Sequence, residues 1–158
     1  MYQEASPDEV ADAAPDTPMD MGILIDTFGY LLRRGWRDAD RRFIYHFRTL
    51  DISAVQFSVM VLIDRNPGCT PGDLVVPMGI TQNNMVGIIA DLIKRGFVTK
   101  KTDANDRRAR MLTLTPEGVK MLAAAHAVHD EYLAEYAERI GAGNLKELVR
   151  LLRMFDRG

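Results

Sequence analysis

The sequence predicts a mainly α fold that carries one small β-hairpin. Apolar residues recur at helical spacing along nearly the whole chain after residue 18. Helix-start signals recur with them, at Ser53, Thr70, Thr81 and Thr115. The helical period lapses over residues 97–114, where two short runs of strand character flank a polar loop.

Residues 1–18 are rich in Ala, Asp and Pro without an apolar period, and read as a disordered acidic tail. From about Met21 to Arg48, Leu24, Phe28, Leu31, Leu32, Gly35, Ala39, Phe43 and Phe47 fall on one stripe. That stripe predicts a single long helix of roughly seven turns. Ser53 and Gln56 have the capping-box spacing and open a helix with apolar Val55, Val59, Leu62 and Ile63, halted near Asn66-Pro67-Gly68. Thr70-Pro71 repeats the start signal and predicts a short helix from Gly72 to about Pro77. Thr81 caps the next, in which Met85, Ile88, Ile89, Leu92 and Ile93 follow the amphipathic template and Gly96 closes the C-terminus. Strands are predicted over Phe97–Thr102 and Arg110–Leu114, around the loop Asp103–Ala109. Thr115-Pro116-Glu117 opens a long helix to about Ile140, and a last helix spans Asn144 to Phe155. Two short helices joined by a glycine-containing turn and followed by a basic hairpin describe a winged helix-turn-helix over 53–114.

A chain of 158 residues can bury one real core and hardly two, so 19–158 reads as a single domain. No stretch reaches the roughly 20 apolar residues of a membrane span, and the first residues lack a signal-peptide pattern. Cys69 is the only cysteine, so no internal disulfide can form and a cytoplasmic location is expected. With no basic neighbour in sequence, Cys69 is a poor redox sensor. His46, His126 and His129 are too few and scattered for a metal site. No phosphate loop, nucleophile elbow or HExxH pattern occurs, so neither an enzyme nor a cofactor is expected.

The net charge of −2 argues against a nucleic-acid partner only until it is mapped along the chain. The first 20 residues sum to −6 and the rest to +4, while Lys94 to Arg110 alone carry +5. On the Thr81–Arg95 helix, burial of Met85, Ile89 and Leu92 would leave Asn83, Gly87, Ala90 and Lys94 outward, flanked by Asn84 and Asp91. Amide side chains can pair bidentately with adenine in a major groove. Gly87 would let the helix axis approach closely, and free N–H groups of the first turn can meet a phosphate. Alternatively, Gln82, Asn83 and Asn84 are simply polar helix-start residues. Arg107, Arg108 and Arg110 lie at or just after the hairpin tip, whose width suits a minor groove. Lys94, Lys100 and Lys101 would meet phosphates, and Asp106 would position a neighbouring arginine. The expected DNA-contacting set is therefore Thr81, Gln82, Asn83, Asn84, Gly87, Lys94, Lys100, Lys101, Asp106, Arg107, Arg108 and Arg110.

From about Ile52 to Gly118 the chain resembles the MarR regulators. The resemblance rests on Lys94-Arg95-Gly96-Phe97-Val98, on Asp103-Ala104-Asn105-Asp106-Arg107-Arg108-Ala109, and on Leu112-Thr113-Leu114-Thr115-Pro116-Glu117-Gly118, in that order. It implies a dimeric regulator of double-stranded DNA with a pseudo-palindromic operator, usually a repressor released by a small molecule. It also carries the wing Asp and Arg pair over to Asp106, Arg107 and Arg108. Family members often place an arginine where this chain has Gly87 and another near Gln82. Base readout here should therefore lean on Gln82, Asn83 and Asn84, with charge supplied by the wing.

The final helix carries Leu145, Leu148, Val149, Leu151, Leu152 and Phe155, more apolar surface than a small domain needs from one helix. With the first helix it would form a dimerisation region from residues 19–50 and 115–158, setting two recognition helices about 34 Å apart. Intramolecular core is the competing explanation. In the resembling proteins an effector pocket lies between the first two helices and the long fifth one. This region offers Tyr30, Arg33, Arg34, Trp36, Arg37, His46 and Phe57, a set suited to a flat anion, with Phe28 and Tyr45 nearby. The same arginines could equally form a solvated face. The run Phe28-Gly29-Tyr30-Leu31-Leu32-Arg33-Arg34 resembles members controlling aromatic acid catabolism, which implies an aromatic acid or its CoA thioester as effector. A non-specific architectural or protein-docking winged helix is the alternative function.

Overall fold

In a computed structural model of the chain, residues 19–102 and 110–155 are described. A 3-10 turn over Gly22–Asp26 precedes α1 (Phe28–Phe47), α2 (Ala54–Arg65), α3 (Val75–Met78) and α4 (Gln82–Lys94). The hairpin β1 (Val98–Thr102) and β2 (Arg110–Leu114) follows, then α5 (Pro116–Ile140) and α6 (Ala142–Leu152). Among the described residues no helix is long and apolar enough to cross a membrane.

The predicted 21–48 helix is broken at Thr27. This residue is extended (φ −80°, ψ 116°) and serves as the N-cap of α1. Its hydroxyl donates to the Ile23 carbonyl at 2.8 Å and its N–H to Leu24, which closes the 3-10 turn behind it. The predicted stripe also divides by partner. Phe43 and Phe47 are buried and stack on each other, whereas Phe28, Leu31 and Leu32 stay about half exposed.

In α2 the capping box is present in both directions: Gln56 N–H donates to Ser53 Oγ at 3.2 Å and Ser53 N–H to Gln56 Oε1 at 2.9 Å. The buried face is Phe57, Val59, Met60 and Ile63, and Val55 is left exposed. Before α3, Thr70 and Asp73 bond reciprocally, Thr70 N–H to Asp73 Oδ2 at 2.7 Å. That pair closes a turn, so the helix begins at Val75 and runs through Pro77 instead of starting at Gly72. Proline is tolerated there because a first-turn N–H has no intrahelical partner to lose. Gly79, at φ +61°, ends α3 in the left-handed region. The last helix starts at Ala142, two residues ahead of expectation, and gives way at Arg153.

The core runs from Phe43, Phe47 and Phe57 through Met60, Ile63, Met85 and Leu92 to Val98, Leu112, Leu122 and Ala125. It is thus one layer shared by the helix-turn-helix, the hairpin and α5. Val98 faces Leu114 and Lys100 faces Leu112 across the antiparallel pair. Gly68 N–H donates to Leu112 O and Leu112 N–H to Cys69 O, both at 2.8 Å, so the α2–α3 loop extends the hairpin by a third short segment. Burial pushes the Cys69 thiol up, with Asp73 adding to the rise. That is the opposite of an activated thiolate. At the far side, Thr115 caps α5 and its hydroxyl also donates to the Gly96 carbonyl at 2.6 Å. One side chain therefore ties the turn after α4 to the start of α5.

Candidate nucleic-acid interface

The α4 stripe behaves as its period dictates. Met85, Ile89 and Leu92 are buried, and Gln82, Asn83, Asn84, Gly87, Ala90 and Lys94 are exposed. Thr81 stays outside the helix, its hydroxyl accepting from Asn84 N–H at 3.4 Å. The first turn contains no acidic residue, so its free N–H groups present an uncompensated positive end. An outward apolar residue, Val86 (52% exposed), lies among the amides. Sequence reasoning passed over it because valine is ordinarily counted as core. On the outward face of α4 its methyls are suited to a thymine methyl. A Cβ at Gly87 would meet open space, so the fold itself does not demand glycine there.

Lys94, Lys100 and Lys101 are all exposed. Lys100 and Lys101 leave opposite faces of β1, since successive strand residues alternate. Arg95 is not a free cation: its guanidinium is 3.6 Å from Asp51 and packs over the Phe97 ring. The wing residues Asp106, Arg107 and Arg108 lie outside the described residues, as does the acidic segment 1–18. For Arg110 the backbone alone is described, paired with Thr102.

The effector candidates separate into two groups. Tyr30, Arg33 and Arg34 cluster on the outer side of α1, with both guanidinium carbons within 6 Å of the Tyr30 ring centre. Trp36 (65% exposed) belongs to an apolar groove of about 980 Å³ with Phe28, Leu148 and Phe155. Arg37 is exposed beside it. His46 and Phe57 are elsewhere, about 24 Å along the helix axis from Tyr30 in the case of His46. Phe57 is buried between Phe43, Phe47 and His129, stacked on the last at 5.3 Å. His46 Nε2 is 2.6 Å from Glu135, which also pairs with the buried Arg42. Burial is the largest influence on the imidazoles of His46 and His129 and holds both below their ordinary pKa.

Between these groups Asp38 gathers donors from two helices. Arg41 and Arg42 approach from α1 at 3.1 and 3.2 Å, Tyr136 and Arg139 from α5 at 2.8 and 3.0 Å. Burial alone would raise its pKa. The hydrogen bonds from Tyr136, Arg41 and Arg139, with the charge of Arg42, outweigh burial and bring it down to about 2.

A helix-turn-helix packed on an antiparallel hairpin, with an amide-bearing second helix turned outward, defines a winged-helix protein. Comparison with known proteins narrows the class. A sequence model of the MarR family matches residues 50–109. The transcriptional regulator HosA of Escherichia coli O157:H7 is 33% identical over 103 residues, covering 65% of this chain and 76% of HosA. The transcriptional repressor CouR bound to a 23-mer DNA duplex superposes with a TM-score of 0.86 at 28% identity, covering 89% of this chain and all of that one. CouR bound to p-coumaroyl-CoA gives 0.81 at 26% identity, covering 89% and 99%. The chain belongs to the MarR family of transcriptional regulators.

Proposed function

We propose that the chain is a sequence-specific, dimeric DNA-binding repressor, released by an aromatic acid or its CoA thioester. The observation that carries the reading is the outward first turn of α4, where Gln82, Asn83 and Asn84 stand exposed on a helix anchored by Met85, Ile89 and Leu92. Amides held on a rigid element, without nearby side-chain charge, read base edges better than they attract phosphate. Residues 53–114 form the DNA-reading lobe in this proposal, and the helices of 19–50 and 115–158 the dimerisation region. The likeness to CouR in its DNA complex supports the docking mode.

Selection of binding sites from random duplex tests the reading, and a pseudo-palindromic consensus is expected. On that consensus Asn83→Ala loses about 1–3 kcal/mol, mostly by relaxing discrimination, whereas Arg108→Ala weakens all sequences alike. Equal losses on consensus and scrambled DNA in both variants would refute the division of labour. Binding without any consensus would favour an architectural role instead.

The effector half rests on the Tyr30–Arg33–Arg34 cluster, an aromatic ring with two guanidinium groups suited to anionic oxygens. CouR's complex with p-coumaroyl-CoA supports the chemical class. Titration of the protein–DNA complex with hydroxycinnamates, benzoates and their CoA thioesters should release it with at least one. Release by none refutes this half and leaves the DNA-binding half standing.

A further inference from the structure

Between the C-terminal end of α1, the start of α2 and the C-terminal half of α4 lies a cleft of about 520 Å³, lined in part by Arg48, Asp51, Gln56, Asp91 and Arg95. Two side-chain links cross it. Gln56 Nε2 donates to Asp91 Oδ2 at 2.7 Å, and Arg95 reaches Asp51 at 3.6 Å. Gln56 does two jobs at once, since its Oε1 accepts the Ser53 N–H that closes the α2 capping box. The amide orientation is dictated by both partners: the oxygen must face an N–H and the NH₂ a carboxylate. Asp91 is on α4, two turns past the exposed amides, and is partly buried. Asp51, in the α1–α2 elbow, is the one described non-glycine residue with positive φ, at +50°.

We propose that Gln56 is a positioning residue for DNA reading, a strut that sets the recognition helix against the α1–α2 elbow through Asp91, with Arg95–Asp51 as a weaker second tie. The proposal rests on α4 being the reading helix. The Arg95 link adds little, because Asp51 is almost fully exposed and the pair is screened. The Gln56 link is different, because its amide is already immobilised by the cap and little rotamer freedom remains to be lost. A helix held at both its buried face and this polar point can be tilted only by breaking one of them.

The discriminating variant is Gln56→Glu. Glutamate serves a capping box as well as glutamine, so α2 keeps its cap. Facing Asp91, however, it replaces a donor by a second carboxylate. Asp91→Asn leaves a hydrogen bond available to Gln56, and in the double variant Gln56→Glu/Asp91→Asn the amide and carboxylate have exchanged places. Affinity for the selected consensus duplex, measured by fluorescence anisotropy, should fall about tenfold in Gln56→Glu, the scale of one broken charge-assisted hydrogen bond. Asp91→Asn should stay near wild type and the double variant should recover. A bare effect of negative charge near DNA predicts something else. Asp91→Asn would then improve binding by the factor Gln56→Glu loses, and the two would combine additively. Additivity across the cycle, or consensus affinity unchanged in Gln56→Glu, overturns the strut. If the wild-type protein selects no consensus at all, it is the reading-helix proposal that fails.

Discussion

A Cβ added at Gly118 would overlap the carbonyl of Phe97, which lies on backbone and cannot swing aside. The first turn of α5 packs that closely because Thr115 binds both Gly118 N–H and the Gly96 carbonyl. Gly118→Ala should therefore lower stability by about 3 kcal/mol in urea unfolding, the upper range for an overpacked site. A loss under half of that would mean that α5 can shift. Gly87 is the contrasting case. It is exposed in mid-helix with open space around it, yet a helix-interior glycine costs roughly 0.5–1 kcal/mol relative to alanine. Gly87→Ala should raise the melting temperature while weakening consensus binding, if the helix axis approaches the groove at that point. Gain of stability with undiminished affinity would show that the close approach is not used. The two glycines look alike in sequence, and only their surroundings show that packing requires glycine at 118 and not at 87.

At the scale of elements, α1 and α5 are tied by charge as well as by packing. Asp38, at about 2, is depressed below its ordinary value of 3.8, so the native state prefers the carboxylate more than the unfolded chain does. Its contribution is present above about pH 4 and is lost as pH falls through about 2. Asp38→Asn should melt below wild type at neutral pH, and the gap should close as pH falls from about 5 to about 2. A gap independent of pH would assign the effect to packing. The sequence spacing marks only the α1 half of this hub, Arg41 and Arg42 three and four residues on, since Tyr136 and Arg139 stand about a hundred residues from Asp38. Local devices were legible: the caps at Ser53, Thr81 and Thr115 and the stripe of α4 depend on neighbours three or four residues away. The same locality misled at Thr27 and Thr70, where short side-chain bonds close turns that a periodicity count reads as helix. For the candidate site, the exposed amides of α4 were legible because burial of one helical face implies the other. The strut at Gln56 was visible only as a cap, and Phe57, expected near an effector, takes the core face that had been given to Val55.

For the whole molecule, the unpartnered surface is the governing fact. Phe28 and Phe155 stack on each other at 5.7 Å yet remain 61% and 66% exposed, and Trp36, Leu148, Leu151 and Met154 continue the patch around the groove. Contiguous apolar surface on this scale marks an interface. A second copy is the proposed occupant, because a two-fold axis would cover this face in both chains and place two α4 helices on successive major grooves, about 34 Å apart. Leu148→Lys/Leu151→Lys tests it cleanly. Both side chains are roughly half exposed, so charge there costs the isolated fold little, and lysine suits the last turns of a helix. Across a two-fold axis the four added charges would face one another while losing water. Sedimentation should show a monomer at micromolar concentration with its helical circular dichroism retained. Consensus affinity should fall by at least about a hundredfold, because the second half-site would no longer be bound as an intramolecular step, while a single half-site should bind as before. A variant that stays dimeric, or a monomer that holds the full palindrome as tightly as wild type, would remove the terminal helices from the DNA-binding mechanism.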